Sequence, residues 1–304
     1  MIVQPQWDDI RIFLAVARSE SLSGAGRLLK VDPATVGRRI ARLEETLAAP
    51  LFAKSPQGYA LTNDGQRLLE HAMRAEQEMS AAFEGLAGHE GQLTGQIRVG
   101  APDGAANFVL PQVCSEIVER NPDLEIQIVA LPRVFNLSKR EADMAIGVSA
   151  PTAGRLSVQK LTDYRLHLVA SRKYLRSAAP IHGIEDLKHH RIIGYIQDMI
   201  FDKEVDYLAE AGLTAVQLAS NSVSVQFNWI RQGAGIGFVH DFTIPFGRGL
   251  EKVLPDRIGL TRSFYLIRHA DDRRLERMNR FAAQLADGLR REVARLEAIT
   301  QEDE

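Results

Sequence analysis

The residues best suited to bind a charged partner lie close together near the start of the chain. Residues 27–42 hold five cations and one anion, a local charge of +4: Arg27, Lys30, Arg38, Arg39 and Arg42 against Asp32. Guanidinium groups donate hydrogen bonds to phosphates and to guanine, and threonine can contact bases in the major groove. The segment therefore predicts contact with double-stranded DNA. Because charged helix faces are common, a solvated surface remains the alternative.

Two short helices must position these cations. Apolar residues at helical spacing predict a first helix that leads into them: Ile10, Phe13, Leu14 and Ala17. A second helix is expected near residues 23–29, with Ser23 as its N-cap. Asp32 can cap a third helix, and Pro33 suits its first position, where no N–H is needed. The second and third helices are short, their connection is tight and the third is basic, which indicates a helix-turn-helix at about residues 23–43.

The third helix separates an apolar stripe from an exposed basic side. The stripe consists of Val36, Ile40, Leu43 and Leu47. Residues 51–61 then predict a two-stranded hairpin, from which Lys54 could reach the DNA backbone as a wing does. Ser23 could hold a phosphate at a helix N-terminus. The predicted DNA contacts are Ser23, Arg27, Pro33, Ala34, Thr35, Arg38, Arg39, Arg42 and Lys54.

A longer helix is predicted over residues 63–88. Its small and apolar residues alternate spacings of four and three, the period of a coiled-coil seam. The seam consists of Leu68, Ala72, Ala75, Met79, Ala82 and Leu86. This pattern suits close pairing with a partner helix, although packing against the chain's own N-terminal domain is the alternative. Glycines mark a flexible connector at residues 89–95.

From residue 96 onward, predicted strands and helices alternate, and the strands include residues 166–170 and 263–268. That order favours an α/β architecture with mostly parallel sheets. Ligands of open α/β sheets bind at the carboxyl ends of the strands, often at helix N-termini. Three segments qualify, at residues 101–107, at 132–136, and at 221–223 with 239–241 and, across a cleft, 195–198. The candidate ligand residues are Pro102, Asp103, Arg133, Phe135, Tyr195, Asp198, Asn221, Ser222, Val223, His240 and Asp241.

The order and spacing of the N-terminal runs resemble the LysR-type transcriptional regulator family. The resemblance is carried by residues 13–17, 21–25, 28–29, 31–40, 43–44, 51–52 and 58–62, and beyond them by 136–146, 220–222 and 233–237. It implies an α+β and α/β multidomain fold, with a winged helix-turn-helix, a long linker helix and a bilobal α/β effector domain like a periplasmic binding protein. It also implies a transcriptional regulator, not an enzyme, controlled by a small-molecule effector bound between two lobes.

The resemblance also implies a domain division and a set of partners. The expected domains are 1–62 for DNA binding, 63–88 as dimerisation helix, 89–95 as hinge and 96–304 for the effector. Within the last, lobe I spans about 96–162 and 264–300, and lobe II about 163–263. The expected partners are a partly palindromic promoter site, an unknown effector, a second copy in a dimer or tetramer, and RNA polymerase. No cofactor and no metal are expected.

Two features depart from the family. A Ser or Thr often helps to hold a carboxylate in the first ligand segment, where this chain has Asp103. We expect a simple monocarboxylate to be disfavoured there, so that the ligand is neutral or cationic, or Arg133 supplies the partner of an anion. Gly24, Gly26 and Gly37 lie inside predicted helices, where each costs about 1 kcal/mol against Ala.

Other chemistry is poorly supported. The single Cys114 excludes a disulfide framework and is expected in the core. His182, His189 and His190 lack metal-ligand spacing. The glycines of residues 233–237 precede a strand, which makes dinucleotide binding a weak match.

The alternative functions are a periplasmic solute-binding module and a small-molecule enzyme. The first residues show no signal-peptide pattern and no long apolar run, which speaks against a periplasmic solute-binding module and favours a cytoplasmic protein away from membranes. The absence of a catalytic constellation speaks against a small-molecule enzyme. The 304 residues carry a formal net charge of −2, which averages over the +4 segment and a remainder of −6.

Overall fold

The computed structural model describes residues 5–55, 58–86, 92–130, 142–151, 154–213, 215–270, 272 and 275–302. They form two compact units, one that ends with the long linker helix and one that begins at residue 92.

The first unit is a helical domain with a two-stranded hairpin. Its elements are α1 (Trp7–Ser19), α2 (Leu22–Leu29), α3 (Pro33–Leu47), β1 (Phe52–Ser55), β2 (Gly58–Leu61) and α4 (Asn63–Leu86). The apolar stripes of α1 and α3 meet at Phe13, Val36 and Leu43, all fully buried. Phe52 of the hairpin closes this core, with its ring 5.4 Å from that of Phe13. The predicted stripe of the third helix and the hairpin are confirmed.

Helix caps define the turn between α2 and α3. The Asp32 carboxylate accepts a hydrogen bond from the N–H of Thr35 at 2.9 Å, and Pro33 occupies the first turn of α3, as predicted. The predicted cap of α2 is wrong. The hydroxyl of Ser21, not Ser23, accepts from the N–H of Gly24 at 3.2 Å, so the cap lies two residues earlier, α2 begins at Leu22 and Ser23 lies within its first turn.

The second unit surrounds one sheet. Its elements are β3 (Gly95–Ala101), α5 (Asp103–Phe108), α6 (Leu110–Arg120), β4 (Leu124–Ala130), β5 (Met144–Gly147), β6 (Leu156–Ser171), α7 (Arg172–Ser177), β7 (Ile192–Gly194), α8 (Tyr207–Glu210), β8 (Leu218–Ala219), α9 (Val223–Gln232), β9 (Ile236–His240), β10 (Leu250–Lys252), β11 (Gly259–His269) and α10 (Glu276–Glu302). Short 3₁₀ helices cover Ile184–His189, Gln197–Met199, Lys203–Val205 and Asp241–Phe246.

The sheet is parallel at its two ends and antiparallel in its middle. The strand order is β4-β3-β5-β11-β6-β9-β7-β8, with β10 paired to β6. β3 pairs in parallel with β4 and β5, and β7 pairs in parallel with β8 and β9. β6 and β11 run antiparallel to each other and join the two ends. The expectation of mostly parallel strands is therefore wrong for this middle part.

The two connecting strands are longer than the sequence predicts. β6 begins at Leu156, ten residues before the predicted start at Leu166, and a bulge opposite Phe264 and Tyr265 inserts Leu161 as an extra residue. A bulge shifts which residues face the core, so buried positions change from Leu161 to Tyr164 and Leu166. A strict alternation of period two does not extend through such a strand.

Candidate DNA interface and effector cleft

The exposed side of α3 carries part of the predicted DNA contacts. Pro33, Ala34 and Arg38 are exposed, and Thr35 is half-buried at the first turn of the helix. The hydroxyl of Thr35 accepts from Arg38 Nη2 at 2.9 Å and donates to Asp32 Oδ2. These hydrogen bonds lower the pKa of Asp32, with the Thr35 hydroxyl as the largest cause. The chain Asp32–Thr35–Arg38 thus orients a guanidinium group at the start of α3.

Arg42 has a different environment from Arg38. Its Nε donates to Asp9 Oδ2 at 2.9 Å, and its Nη2 donates to Gln6 Oε1 at 3.1 Å and to the other Asp9 oxygen. Asp9 is buried in α1, and its hydrogen bond raises the pKa of Arg42. Arg39 lies between these cases, because its Nη1 is 3.4 Å from Asp9 Oδ1 and 3.8 Å from Asp8 Oδ2. Arg42 therefore joins α3 to α1.

The remaining predicted DNA contacts lie on neighbouring elements. Ser23 and Arg27 are exposed on α2, and the backbone of Lys54 lies in β1. The side chain of Lys54 lies outside the described part of the structure.

The predicted seam of α4 is divided between two surroundings. Ala72 is buried and Leu68 is partly buried, and both pack against the core of the first unit. Ala75 and Met79 are exposed, the latter by 41%. The side chains of Ala82 and Leu86 lie outside the described residues. Of the four seam residues whose side chains are described, two therefore pack against the chain's own N-terminal domain and two are exposed.

A cleft lies in the second unit beside the paired strands β6 and β11. From the end of β3 and from α5 come Pro102, Asp103 and their neighbours, while β7, α9 and β9 contribute the opposite wall. Six predicted ligand residues line it, namely Pro102, Asp103, Tyr195, Asn221, Val223 and His240. Ser222 lies at the same place, where its hydroxyl contacts Asp103.

Asp103 links the two walls of the cleft. Its Oδ2 accepts hydrogen bonds from the N–H and hydroxyl of Ser224, at 2.8 and 2.9 Å, and from the hydroxyl of Ser222 at 3.2 Å. These donors form the N-terminus of α9, where a negative charge is favoured. The carboxylate therefore caps a helix that belongs to the other wall.

Two of the predicted ligand residues that the structure describes do not line the cleft, and two others lie outside the described residues. Asp241 is wrong as a cleft residue because it is buried on the other side of β9, where its carboxylate contacts His167 Nδ1 at 2.8 Å and Lys252 Nζ at 3.2 Å. Asp198 is exposed on the 3₁₀ helix Gln197–Met199 and does not line the cleft. Arg133 and Phe135 lie outside the described residues.

Family models match both units of the chain. Residues 7–66 match the bacterial regulatory helix-turn-helix protein of the lysR family, and residues 90–290 match the LysR substrate binding domain. The chain belongs to the LysR family of transcriptional regulators.

Individual LysR-type proteins resemble the chain over most of its length. The transcriptional activator TtdR of Escherichia coli K12 is 26% identical over 266 residues, which cover 83% of this chain and 84% of TtdR. The structure of CrgA from Neisseria meningitidis, at 24% identity and a TM-score of 0.58, covers 93% of this chain and 98% of its own. A full-length OxyR variant from Pseudomonas aeruginosa, at 17% identity and a TM-score of 0.71, covers 95% of each chain. These likenesses confirm the predicted fold.

As a LysR-type regulator, the chain binds DNA through its helix-turn-helix and carries a domain for a small-molecule effector. Its relatives are regulators and not enzymes, as expected. Regulators of this type form oligomers. Of the helices that the structure describes, none has the length and apolar character to cross a membrane.

The LysR-type cleft contains residues that the sequence interpretation missed. Tyr164, Tyr207 and Phe264 are the main ones. Tyr164 on β6 and Phe264 on β11 stack with their ring centroids 4.2 Å apart. Tyr164, Leu166 and Leu168 share one strand face, a spacing that could have revealed the first of them. The sequence predicts the strand of Phe264 from residue 263 onward, but the pattern does not indicate that Phe264 lines the cleft.

Cys114 lies in the core of this LysR-type effector domain, as predicted. It is 7% exposed on α6, and burial raises the pKa of its thiol to about 12. Because the thiolate is the reactive form, this shift favours the less reactive thiol near neutral pH.

Proposed function

We propose that the exposed face of α2 and α3 reads a partly palindromic promoter site. Arg38 and Arg39 would contact bases or phosphates, Thr35 and Ala34 bases, and Ser23, Arg27, Pro33 and Lys54 the backbone. The observation that carries this proposal is the exposed basic side of α3 beside its capped N-terminus, where Arg38 is held by Thr35. Arg42 supports the interface by holding α3 against α1.

Residues 1–62 would form the DNA-binding domain, residues 63–88 the dimerisation helix and residues 89–95 the hinge. Exposed Ala75 and Met79 support pairing between two copies of α4. A dimer would present two recognition helices to half-sites one or more helical turns of DNA apart. Two such dimers would make a tetramer. The protein would act in the cytoplasm, where binding to the promoter would bring it into contact with RNA polymerase.

The effector would bind between lobe I, about residues 96–162 and 264–300, and lobe II, about residues 163–263. Pro102, Asp103, Tyr195, Asn221, Val223 and His240 line the cleft, which supports this role. A ligand that prefers one arrangement of the lobes would shift the population toward it. The spacing of the two DNA-binding heads would change with the lobes.

A gel-shift assay on the upstream intergenic DNA tests the DNA interface. Arg39→Ala should weaken specific binding by about 1–3 kcal/mol and relax sequence preference, if Arg39 contacts a base. The assay is run at two salt concentrations, because phosphate contacts make affinity fall steeply with salt. Wild-type affinity in the variant would refute the role of Arg39.

A further inference from the structure

The cleft already contains an anion of its own. Three donors of Ser222 and Ser224 hold Asp103 Oδ2 at the N-terminus of α9. That helix end is the position in the cleft where a ligand carboxylate would find N–H donors and a favourable dipole. Because Asp103 occupies it, an anionic ligand would have to compete for the same donors and would be repelled by the carboxylate.

The other oxygen of Asp103 is less engaged. In the described part of the chain, the contact recorded for Oδ1 is the amide of Asn107, at 3.3 Å. Asp103 itself lines the cleft, and none of the described lining residues is Lys or Arg. The lining therefore offers a carboxylate acceptor and a negative charge, and a cationic donor is its complement.

His240 offers a second acceptor in the same cleft. It is 5% exposed, and its Nδ1 has no hydrogen-bond partner among the residues described. Burial lowers the pKa of His240 to about 4, so the ring is neutral near pH 7 and does not repel a cation. Its Nε2 lies 3.4 Å from the hydroxyl of Tyr207, and in the tautomer with a proton on Nε2 the Nδ1 atom accepts. A ligand donor would satisfy an atom that is costly to leave unpaired.

Aromatic rings form much of the wall around these two acceptors. Tyr164, Tyr195, Tyr207 and Phe264 all line the cleft. Burial raises the pKa of Tyr195 and of Tyr207, so both phenols stay uncharged. The faces of aromatic rings attract cations within about 6 Å of the ring centre, most strongly where water is excluded.

We propose that the effector of this regulator is an organic ammonium compound, whose N–H donors are accepted by Asp103 and His240 between the aromatic walls. The proposal rests on the role of the cleft as effector site. It favours the cationic ligand over the other outcomes expected from the sequence, namely a neutral ligand or an anion held by Arg133.

Three probes of similar size and different charge distinguish these ligands: benzylamine, benzyl alcohol and benzoate. Each is titrated calorimetrically into the full chain at pH 7. We expect benzylamine to bind about tenfold more tightly than benzyl alcohol, and benzoate to bind most weakly. Asp103→Asn should abolish the preference for benzylamine over benzyl alcohol, because it removes the negative charge and keeps a polar side chain of the same size. Asp198→Asn, which removes an exposed carboxylate outside the cleft, is the matched control and should behave as wild type.

Asp103→Ser provides a second variant, because it restores a hydroxyl and frees the N-terminus of α9. We expect it to gain affinity for benzoate. Benzoate that binds wild type as tightly as benzylamine, an unchanged preference in Asp103→Asn, or benzylamine that fails to bind at millimolar concentrations each contradicts the proposal. Gel shifts with the same samples distinguish failure of the proposed ligand class from failure of the proposed function. A protein that binds its DNA and shows no ammonium preference refutes the ligand class alone, whereas loss of specific DNA binding in wild type refutes the proposed function.

Discussion

At the scale of single residues, Arg38 and Arg42 of α3 meet different surroundings. Arg38 is exposed and hydrogen-bonded to Thr35, whereas the guanidinium of Arg42 spans to buried Asp9 on α1. The sequence pattern places both on the polar side of one helix. It cannot separate them, because the partner of Arg42 lies 33 positions earlier in the chain.

Replacing each arginine with alanine should therefore have a different effect. Arg38→Ala should weaken DNA binding by about 1–3 kcal/mol and leave the urea midpoint of the first unit unchanged. Arg42→Ala should lower that midpoint, because the buried carboxylate of Asp9 loses its main partner. Tryptophan fluorescence in a Trp229→Phe background follows the first unit, since Trp7 is then the remaining tryptophan. Equal midpoints for the two variants would contradict this division of roles.

His240 makes the stability of the second unit depend on pH. Its pKa is about 4 in the folded protein and near 6.5 when exposed, so the unfolded chain binds more protons between these values. The contribution of His240 to the free energy of unfolding should be fully present above pH 6.5. It should be lost as pH decreases toward 4, which lowers the stability by up to about 3 kcal/mol.

The urea midpoint of Trp229 fluorescence in a Trp7→Phe background measures this loss. His240→Gln, which keeps a polar side chain without titrating, should lose less stability over the same range. Burial lowers the pKa of His190 as well, but that contribution is common to both proteins. Parallel curves for the two proteins would show that His240 is not the group responsible.

At the scale of elements, two helical glycines of the DNA-binding unit differ in the space that they leave for a Cβ atom. A Cβ on Gly26 would lie 2.6 Å from the carbonyl oxygen of Val31, where α2 closely approaches the turn before α3. A Cβ on Gly37 would meet Leu22 Cδ1 at 3.3 Å, a flexible side chain that can yield. Their identical cost by helix propensity therefore conceals different packing.

Gly26→Ala should destabilise the first unit by about 1–3 kcal/mol, the usual cost of overpacking. Gly37→Ala is the matched control and should change stability by less than about 1 kcal/mol, because better helix propensity offsets the contact. Urea unfolding in the Trp229→Phe background provides both values. A Gly26→Ala variant as stable as wild type would mean that the backbone approach at Val31 is readily relaxed.

The elements of the first unit were largely predictable from the sequence. Asp32, Pro33 and the stripe of α3 are local signals, because a cap and a helical period involve residues a few positions apart. The seam of α4 was predicted less well, since its period does not state which part faces the chain's own core.

The cleft shows where prediction from the sequence ends. Its segments after β3 and before α9 follow a general rule for α/β sheets, and the structure places Asp103, Asn221 and Val223 there. The positions of Tyr164 and Phe264 depend on the pairing of two strands that are distant in the sequence and on a bulge between them, and a local pattern encodes neither. Asp241 was misplaced because its partners, His167 and Lys252, come from other strands.

At the scale of the whole molecule, the net charge of −2 averages over a basic segment and an acidic remainder. The +4 segment within residues 27–42 leaves −6 for the rest of the chain. Nonspecific affinity for DNA grows with the number of phosphates that cations neutralise. A basic surface confined to one small unit, on an otherwise acidic chain, should therefore favour a regulator that leaves nonspecific DNA readily and depends on sequence for tight binding.

The ratio of affinities for specific and nonspecific DNA tests this account most directly. Fluorescence anisotropy of the full chain is measured with labelled upstream intergenic DNA and with a scrambled duplex of equal length and composition, over a range of salt concentrations. We predict that the upstream DNA binds at least about 10³-fold more tightly at physiological salt, and that the logarithm of both affinities falls linearly with the logarithm of salt concentration. Equal affinity for the two duplexes at every salt concentration would contradict the account.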